Sequence, residues 1–156
     1  MTDPSSSASA DRLVGLYTSR YEYLVRLAFV LVDNNEQAEE IVQEAFARAL
    51  VRGDRVGEPE AYVQRSVVNA CYDVLRRRRL ERVILARLRR EEAVAEPDYI
   101  GDLLATLPPR ERVALTLRHY GDLSVDQIAA AMGCPSGTVK TLLHRGAARL
   151  RGQVRR

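Results

Sequence analysis

The stretch SGTVKTLLHR, Ser136 to Arg145, gathers side chains that bind rather than break bonds. Ser136, Thr138 and Thr141 offer hydroxyls, Lys140 an ammonium, and Gly137 a backbone that a ligand can approach closely. At the start of a helix these groups suit a phosphate and the base edges of a DNA groove. His144, Arg145 and Arg149 follow at positions from which phosphates are within reach.

Other residues raise catalytic chemistry and do not sustain it. The carboxylates from Glu36 to Glu44 pose the paired-acid question of a hydrolase. No Ser/His/Asp set, glycine-rich phosphate loop or metal-spaced cluster accompanies them, so no enzyme is expected and the acids read as a solvated or protein-docking face. His119 and His144 each lack a second ligand nearby. Cys71 and Cys134 are far apart with no CxxC, and are expected as reduced thiols, with no metal and no cofactor.

These residues lie on segments of opposite charge. The chain has 156 residues and a formal net charge of +3. Residues 1–60 hold 11 acids against 6 arginines, residues 61–90 hold 9 arginines against 2 acids, residues 91–102 hold 5 acids and no base, and residues 103–156 hold 9 bases against 3 acids. Two basic blocks beside acidic ones point to two polyanion-facing surfaces, unless they are ordinary solvated helix faces. The N-terminus, MTDPSSSASAD, lacks a basic start and apolar run, and no apolar stretch approaches ~18 residues. No membrane insertion and a cytoplasmic location are expected.

The positioning elements are helical. Residues 1–10 are Ser/Ala-rich and expected to be disordered. From Leu13, Leu16, Tyr17, Tyr21, Leu24, Leu27, Ala28 and Leu31 recur every three or four positions. Asn34 or Asn35 caps a second helix, whose apolar stripe is Ala38, Ile41, Val42, Ala45, Phe46, Ala49 and Leu50. A Gly-containing loop, Arg52 to Glu58, precedes Pro59 at a first helical position. The third helix buries Val63, Val67, Ala70, Cys71, Val74 and Leu75 and runs into Arg76-Arg77-Arg78-Arg79, with helical spacing continuing through Leu80, Val83, Ile84 and Leu88.

Glu91 to Asp102 breaks that periodicity and marks an acidic linker. The expected division is thus 11–90, 91–102 and 103–156. After Leu107-Pro108-Pro109, helices are expected over Arg110–His119, Ser124–Met132 and Ser136 to about Leu150, with Ser124 and Gln127 forming a capping box. No strand pattern is present, so the fold class is all-α, in two small helical domains.

LSVDQIAAAMGCPSGTVKTLLHR has helix-turn-helix spacing. Ala129 is small where two helices cross, Gly133 falls where the turn needs a left-handed residue, and Pro135 cannot continue the preceding helix. Ile128, Met132, Val139 and Leu142 or Leu143 supply the locking contacts. The second helix is the one that enters a major groove.

With DNNEQAEEIVQEAFARAL, EAYVQRSVVNACYDVLRRRR and LPPRERVALTLRHYGDLSVDQIAAAMGCPSGTVKTLLHR in that order, the chain resembles the extracytoplasmic-function (ECF) sigma factors of the sigma-70 family. The resemblance covers nearly everything after the N-terminal tail. It implies a first domain (region 2) that binds core RNA polymerase and opens the minus-ten element, and a second (region 4) that reads the minus-thirty-five element. Asp33, Glu36, Glu40, Gln43 and Glu44 would then face basic residues of the polymerase clamp. Tyr62, Asn69, Asp73 and Arg76, Arg77, Arg78 and Arg79 would serve minus-ten DNA, and the loop Arg52–Glu58 would receive a flipped-out base, at a few kcal/mol of unstacking. Arg118, Ser136, Gly137, Thr138, Lys140, Thr141, His144, Arg145 and Arg149 would serve the minus-thirty-five element. An anti-sigma factor is a further partner that the resemblance admits.

Tyr62 stands where the family usually has Trp, Val68 replaces the common Arg before Asn69, and Leu142 and Ala147 stand where Arg is frequent. The 12-residue linker spans roughly 40 Å when extended; acidic and repelled by DNA, it suits the family expectation of a path through a polymerase channel. The competing readings are a stand-alone helix-turn-helix regulator whose first bundle binds a partner or ligand, an enzyme acting on nucleic acid, and an interaction protein without DNA reading.

Overall fold

A computed structural model describes residues 4–89 and 100–155. Seven α-helices follow in order: α1 Pro4–Val32, α2 Asn35–Arg52, α3 Pro59–Arg89, α4 Ile100–Ala105, α5 Pro109–His119, α6 Val125–Met132 and α7 Ser136–Val154, with one 3-10 turn at Gly53–Arg55. There is no strand among the described residues. By backbone proximity the chain forms two compact units, Met1–Cys71 with Ala130–Gly133, and Tyr72–Ala129 with Cys134–Arg156. The break falls inside α3. Of the linker expected at 91–102, residues 91–99 lie outside the described residues and 100–102 open α4.

In the first unit, α1 and α2 pack as an antiparallel-type pair joined by two residues. Asp33 takes φ 51, a conformation that Asp tolerates better than most side chains, and its N–H donates to Phe29 O at 2.8 Å. Asn34 then caps α2, its Oδ1 accepting from Gln37 N–H at 2.8 Å. The expected stripe Ala38, Ile41, Val42, Ala45, Phe46 and Ala49 is buried. Leu50 is exposed, because at about 100° per residue it lies well off the direction that those six share. Leu24, Leu27, Ala28, Leu31 and Val32 from α1, and Val63, Val67, Val68 and Cys71 from α3, are also buried. Tyr17 stacks on Tyr21 at 4.6 Å and meets Phe46 edge-on at 5.0 Å, while its own ring stays partly exposed.

Residues 4–10, expected within a disordered tail, are helical here. Ser9 and Ala10 are half-buried and, with Leu13, line a hollow closed by Ala49, Leu50, Gly53, Val56 and Pro59. That packing gives the segment an apolar partner which its composition does not reveal.

In the second unit, α5 is covered on every side from Glu111 to Leu117. Its partner is α7, which also meets α4. Gly146 allows the close approach: a Cβ there would stand 2.7 Å from Leu115 Cδ1 and 3.4 Å from Glu111 Cβ. Thr106 and Gln153 are hydrogen-bonded at 2.7 Å between the turn after α4 and the end of α7. The short α4 has no counterpart in the sequence expectations.

Candidate nucleic-acid interface

The turn before α7 is made by Gly133, at φ 65, with Cys134 N–H donating to Ala129 O at 3.1 Å. Ser124 and Gln127 form the expected capping box: Ser124 N–H donates to Gln127 Oε1 at 2.9 Å and Gln127 N–H to Ser124 Oγ at 3.1 Å. Ile128 and Val139 are fully buried, while Met132, Leu142 and Leu143 are half-buried. Pro135 precedes α7 and offers no side-chain cap. Thr138 N–H donates to Pro135 O at 3.0 Å, so the amides of Ser136 and Gly137 are the ones at the start of α7 left for an anion, as at a helix start that binds phosphate.

Gly137, Lys140, Thr141, His144 and Arg145 are all exposed, at spacings of three and four that put them on one side of α7. The buried residues Val139 and Gly146 mark the opposite side. Ser136 and Thr138 are half-buried. Four of the expected DNA-facing residues also have side-chain partners within the protein. Ser136 Oγ donates to Asp126 Oδ1 at 2.7 Å, Arg118 Nη1 donates to Leu123 O at 3.0 Å, and Arg149 Nε stands 3.0 Å from Glu111 Oε2. Thr141 Oγ1 returns to Gly137 O at 3.1 Å. Asp126, Leu123, Glu111 and Gly146 support this face without pointing at a ligand, and sequence reading passed over them in these roles. Glu111 is the third residue of the Pro-started α5, with nothing local to show that it is buried.

On α3, Asn69, Asp73 and Arg76 are exposed, and their spacings of four and three share one side of the helix with the half-buried Tyr62. Arg77 and Arg79 are exposed and Arg78 is half-buried. Arg52 lies over the Tyr62 ring at 5.4 Å, and Arg76 over the Tyr72 ring at 5.9 Å. The Asp73–Arg76 pair, at 3.8 Å, is solvent-exposed and so contributes little to stability. Val68, which stands where the family often has Arg, is fully buried and belongs to the core.

The acidic residues of α2 form a separate surface. Glu36, Glu40, Gln43 and Glu44 are exposed on an arc about 100° wide, opposite the buried stripe, with exposed Asp33 just before the cap. Gln43 Nε2 donates to Tyr21 Oη at 3.2 Å, and Glu44 pairs with Arg48 at 2.6 Å. Among the described residues no three His, Cys, Asp or Glu cluster as metal ligands would, and no helix is long and apolar enough to cross a membrane. Both cysteines are free, and burial pushes the Cys71 thiol up to about 12.

Residues 16–81 match the family model for sigma-70 region 2, and residues 98–150 match that for sigma-70 region 4. The chain is 33% identical to the RNA polymerase sigma-E factor of Streptomyces coelicolor over 145 residues, covering 87% of this chain and 82% of that protein. It is 30% identical to the ECF RNA polymerase sigma factor SigL of Mycobacterium tuberculosis over 161 residues, covering 94% and 91%. Its fold is similar to that of the sigma factor RpoE solved in complex with the anti-sigma factor NepR from Bartonella quintana, with TM-score 0.66, 22% identity and coverage of 93% and 97%.

Proposed function

The chain belongs to the extracytoplasmic-function sigma factors of the sigma-70 family, and from that footing we propose how its residues share the work of transcription initiation. It is a sigma factor: it binds core RNA polymerase and directs promoter recognition and opening at the minus-thirty-five and minus-ten elements. It acts as an initiation factor, with the chemistry left to the polymerase and no catalytic residue of its own. Its place of action is the cytoplasm, where polymerase and promoter are.

The minus-thirty-five element is met by the exposed side of α7, with Gly137, Lys140, Thr141, His144 and Arg145 toward the groove and its phosphates. The single observation that carries this is the sidedness of α7, polar and basic residues exposed on one side against buried Val139 and Gly146 on the other. Ser136, Thr138, Arg118 and Arg149 complete the set as residues that face both the protein and the DNA. Asn69, Asp73 and the arginines 76–79, with Tyr62, take the minus-ten strand, and the loop 52–58 receives the unstacked base.

The acidic arc of α2 takes the polymerase. Carboxylates on that surface are repelled by DNA and attracted to basic protein, so the charge sorts the two partners. An anti-sigma factor is the third partner on this reading. A stand-alone regulator would instead require tight palindromic binding without polymerase, and the match to both sigma regions in order does not favour it.

Transcription in vitro with purified core polymerase on a promoter library tests the reading. Sigma-dependent transcripts are expected, with a clear loss when Lys140 and Arg145 are replaced by Ala. No transcript across such a library would overturn it.

A further inference from the structure

Glu111 is a charged side chain only 5% exposed, on α5 directly beneath α7. Its Cβ lies 3.4 Å from where a Cβ on Gly146 would be, so the two helices touch at that point. One turn further along α7, Arg149 reaches back and brings Nε to 3.0 Å from Glu111 Oε2. The contact has the distance of an ion pair but not the alignment of a hydrogen bond, since Oε2 accepts none. The ion pair is the interaction that counts, because Coulomb attraction does not depend on that angle.

The two partners differ in exposure. Glu111 is 6% exposed at its side chain and Arg149 is 57% exposed. A buried carboxylate without a counter-charge is costly, so Glu111 holds the arginine more firmly than a surface pair would. The Arg149 side chain is more than half exposed, so guanidinium N–H groups not spent on Glu111 remain open to solvent, at the border of the side of α7 that carries Thr141 and Arg145.

We propose that Glu111 is a positioning residue for promoter binding: its ion pair holds the Arg149 side chain in place so that the exposed guanidinium N–H groups meet a DNA phosphate. The inference rests on the assignment of α7 to the minus-thirty-five element. It assigns Arg149 a shared role, ion-paired to the protein and bound to the backbone of DNA through its exposed N–H groups. A long side chain held in advance loses less rotamer freedom on binding than a free one. Each phosphate neutralised adds about 0.9 to the slope of log affinity against log salt. The Glu111–Arg149 unit therefore accounts for one such contact.

The test uses holoenzyme assembled from core polymerase and the full chain, with promoter binding measured between 50 and 200 mM salt. Arg149→Ala should flatten the salt slope by about one, roughly a threefold smaller loss of affinity across that range. Glu111→Gln should flatten it by a similar amount although Arg149 is intact, and the double variant should be no worse than Arg149→Ala alone. A purely structural Glu111 would instead lower the melting temperature, leave the slope unchanged, and add its loss to that of Arg149→Ala. Either an unchanged slope or additive losses overturns the proposal.

Should Glu111→Gln fail to fold, Arg149→Lys decides. Lysine keeps the charge but cannot divide itself between carboxylate and phosphate, so a loss close to that of Arg149→Ala supports the proposal and a wild-type slope overturns it. If unaltered holoenzyme starts no transcript, the assignment of function fails; if it transcribes and these slopes do not move, only the role of Glu111 fails.

Discussion

The Ser136 hydroxyl donates to Asp126 Oδ1 at 2.7 Å, joining the first turn of α7 to the first turn of α6. On the proposed assignment of α7 to the minus-thirty-five element, this bond would set the angle at which α7 arrives at the groove. A hydrogen bond to a charged acceptor is worth about 1.5–3 kcal/mol, and solvent exposure puts this one at the lower end. Asp126→Ala should reduce transcription from a cognate promoter by roughly tenfold at fixed holoenzyme concentration. Asp126→Asn keeps an acceptor and should retain most activity. Equal activity in the Ala variant would show that the bond does not orient the helix.

Glu40 and Glu44 stand on the acidic arc of α2, away from the buried stripe. Reversing both to Lys changes the charge of that arc by about four without touching the core. Capture of core polymerase should fall by more than tenfold, while far-UV circular dichroism and the melting curve stay close to those of the parent chain. The lost Glu44–Arg48 pair is exposed and contributes at most about 1 kcal/mol. Unimpaired capture would move the polymerase contact off α2.

Much of this was legible in the sequence where a short-range rule governs. The capping box at Ser124 and Gln127, the Asn34 cap, Pro59 at a helix start and Gly133 in the turn all depend on a few neighbouring residues, and all are present. Features set by packing between distant segments were not legible. Gly146 reads as an ordinary helix glycine until Leu115 is seen against it, and Glu111 reads as a surface acid until Arg149 is found beside it. Residues 4–10 read as a tail because their composition is polar and small, and only the hollow beside Ala49 and Val56 supplies a partner. Leu80, Ile84 and Leu88 keep helical spacing yet are exposed, since periodicity predicts a helix and not what covers it.

The two cysteines should separate chemically. Cys134 is half-buried, whereas Cys71 is fully buried and its thiol is pushed from 9.0 up to about 12 by desolvation. A thiol reagent at pH 8 should label one site quickly, and the second only on unfolding. In the unfolded chain Cys71 loses its proton as pH passes 9.0, while in the fold it keeps it until about 12. The folded state binds more protons in that window, so stability declines as pH rises through it. The contribution is complete below pH 9.0 and lost toward 12. Melting temperatures should fall across that range, less so in Cys71→Ala; rapid labelling of two thiols in the native protein would contradict the burial.

Away from polymerase, the chain should hold promoter DNA weakly and in a strongly salt-dependent way. The basic residues exposed on α7 are few, Lys140, Arg145 and Arg151 with Arg149 at the border, and each phosphate contact among them is worth a slope of about 0.9. The second set proposed to face DNA lies on α3, from Asn69 to Arg79. Neither set has the size of a specific interface by itself, and polymerase raises their joint affinity by holding the two DNA elements at a fixed separation. Titration of duplex promoter DNA with free protein should give no sequence preference at physiological salt, and adding core polymerase should restore it. Lys140→Ala and Arg145→Ala should each lower the salt slope of the free protein by about one. A tight, sequence-specific complex of the free chain, insensitive to salt, would instead describe a self-sufficient DNA-binding regulator.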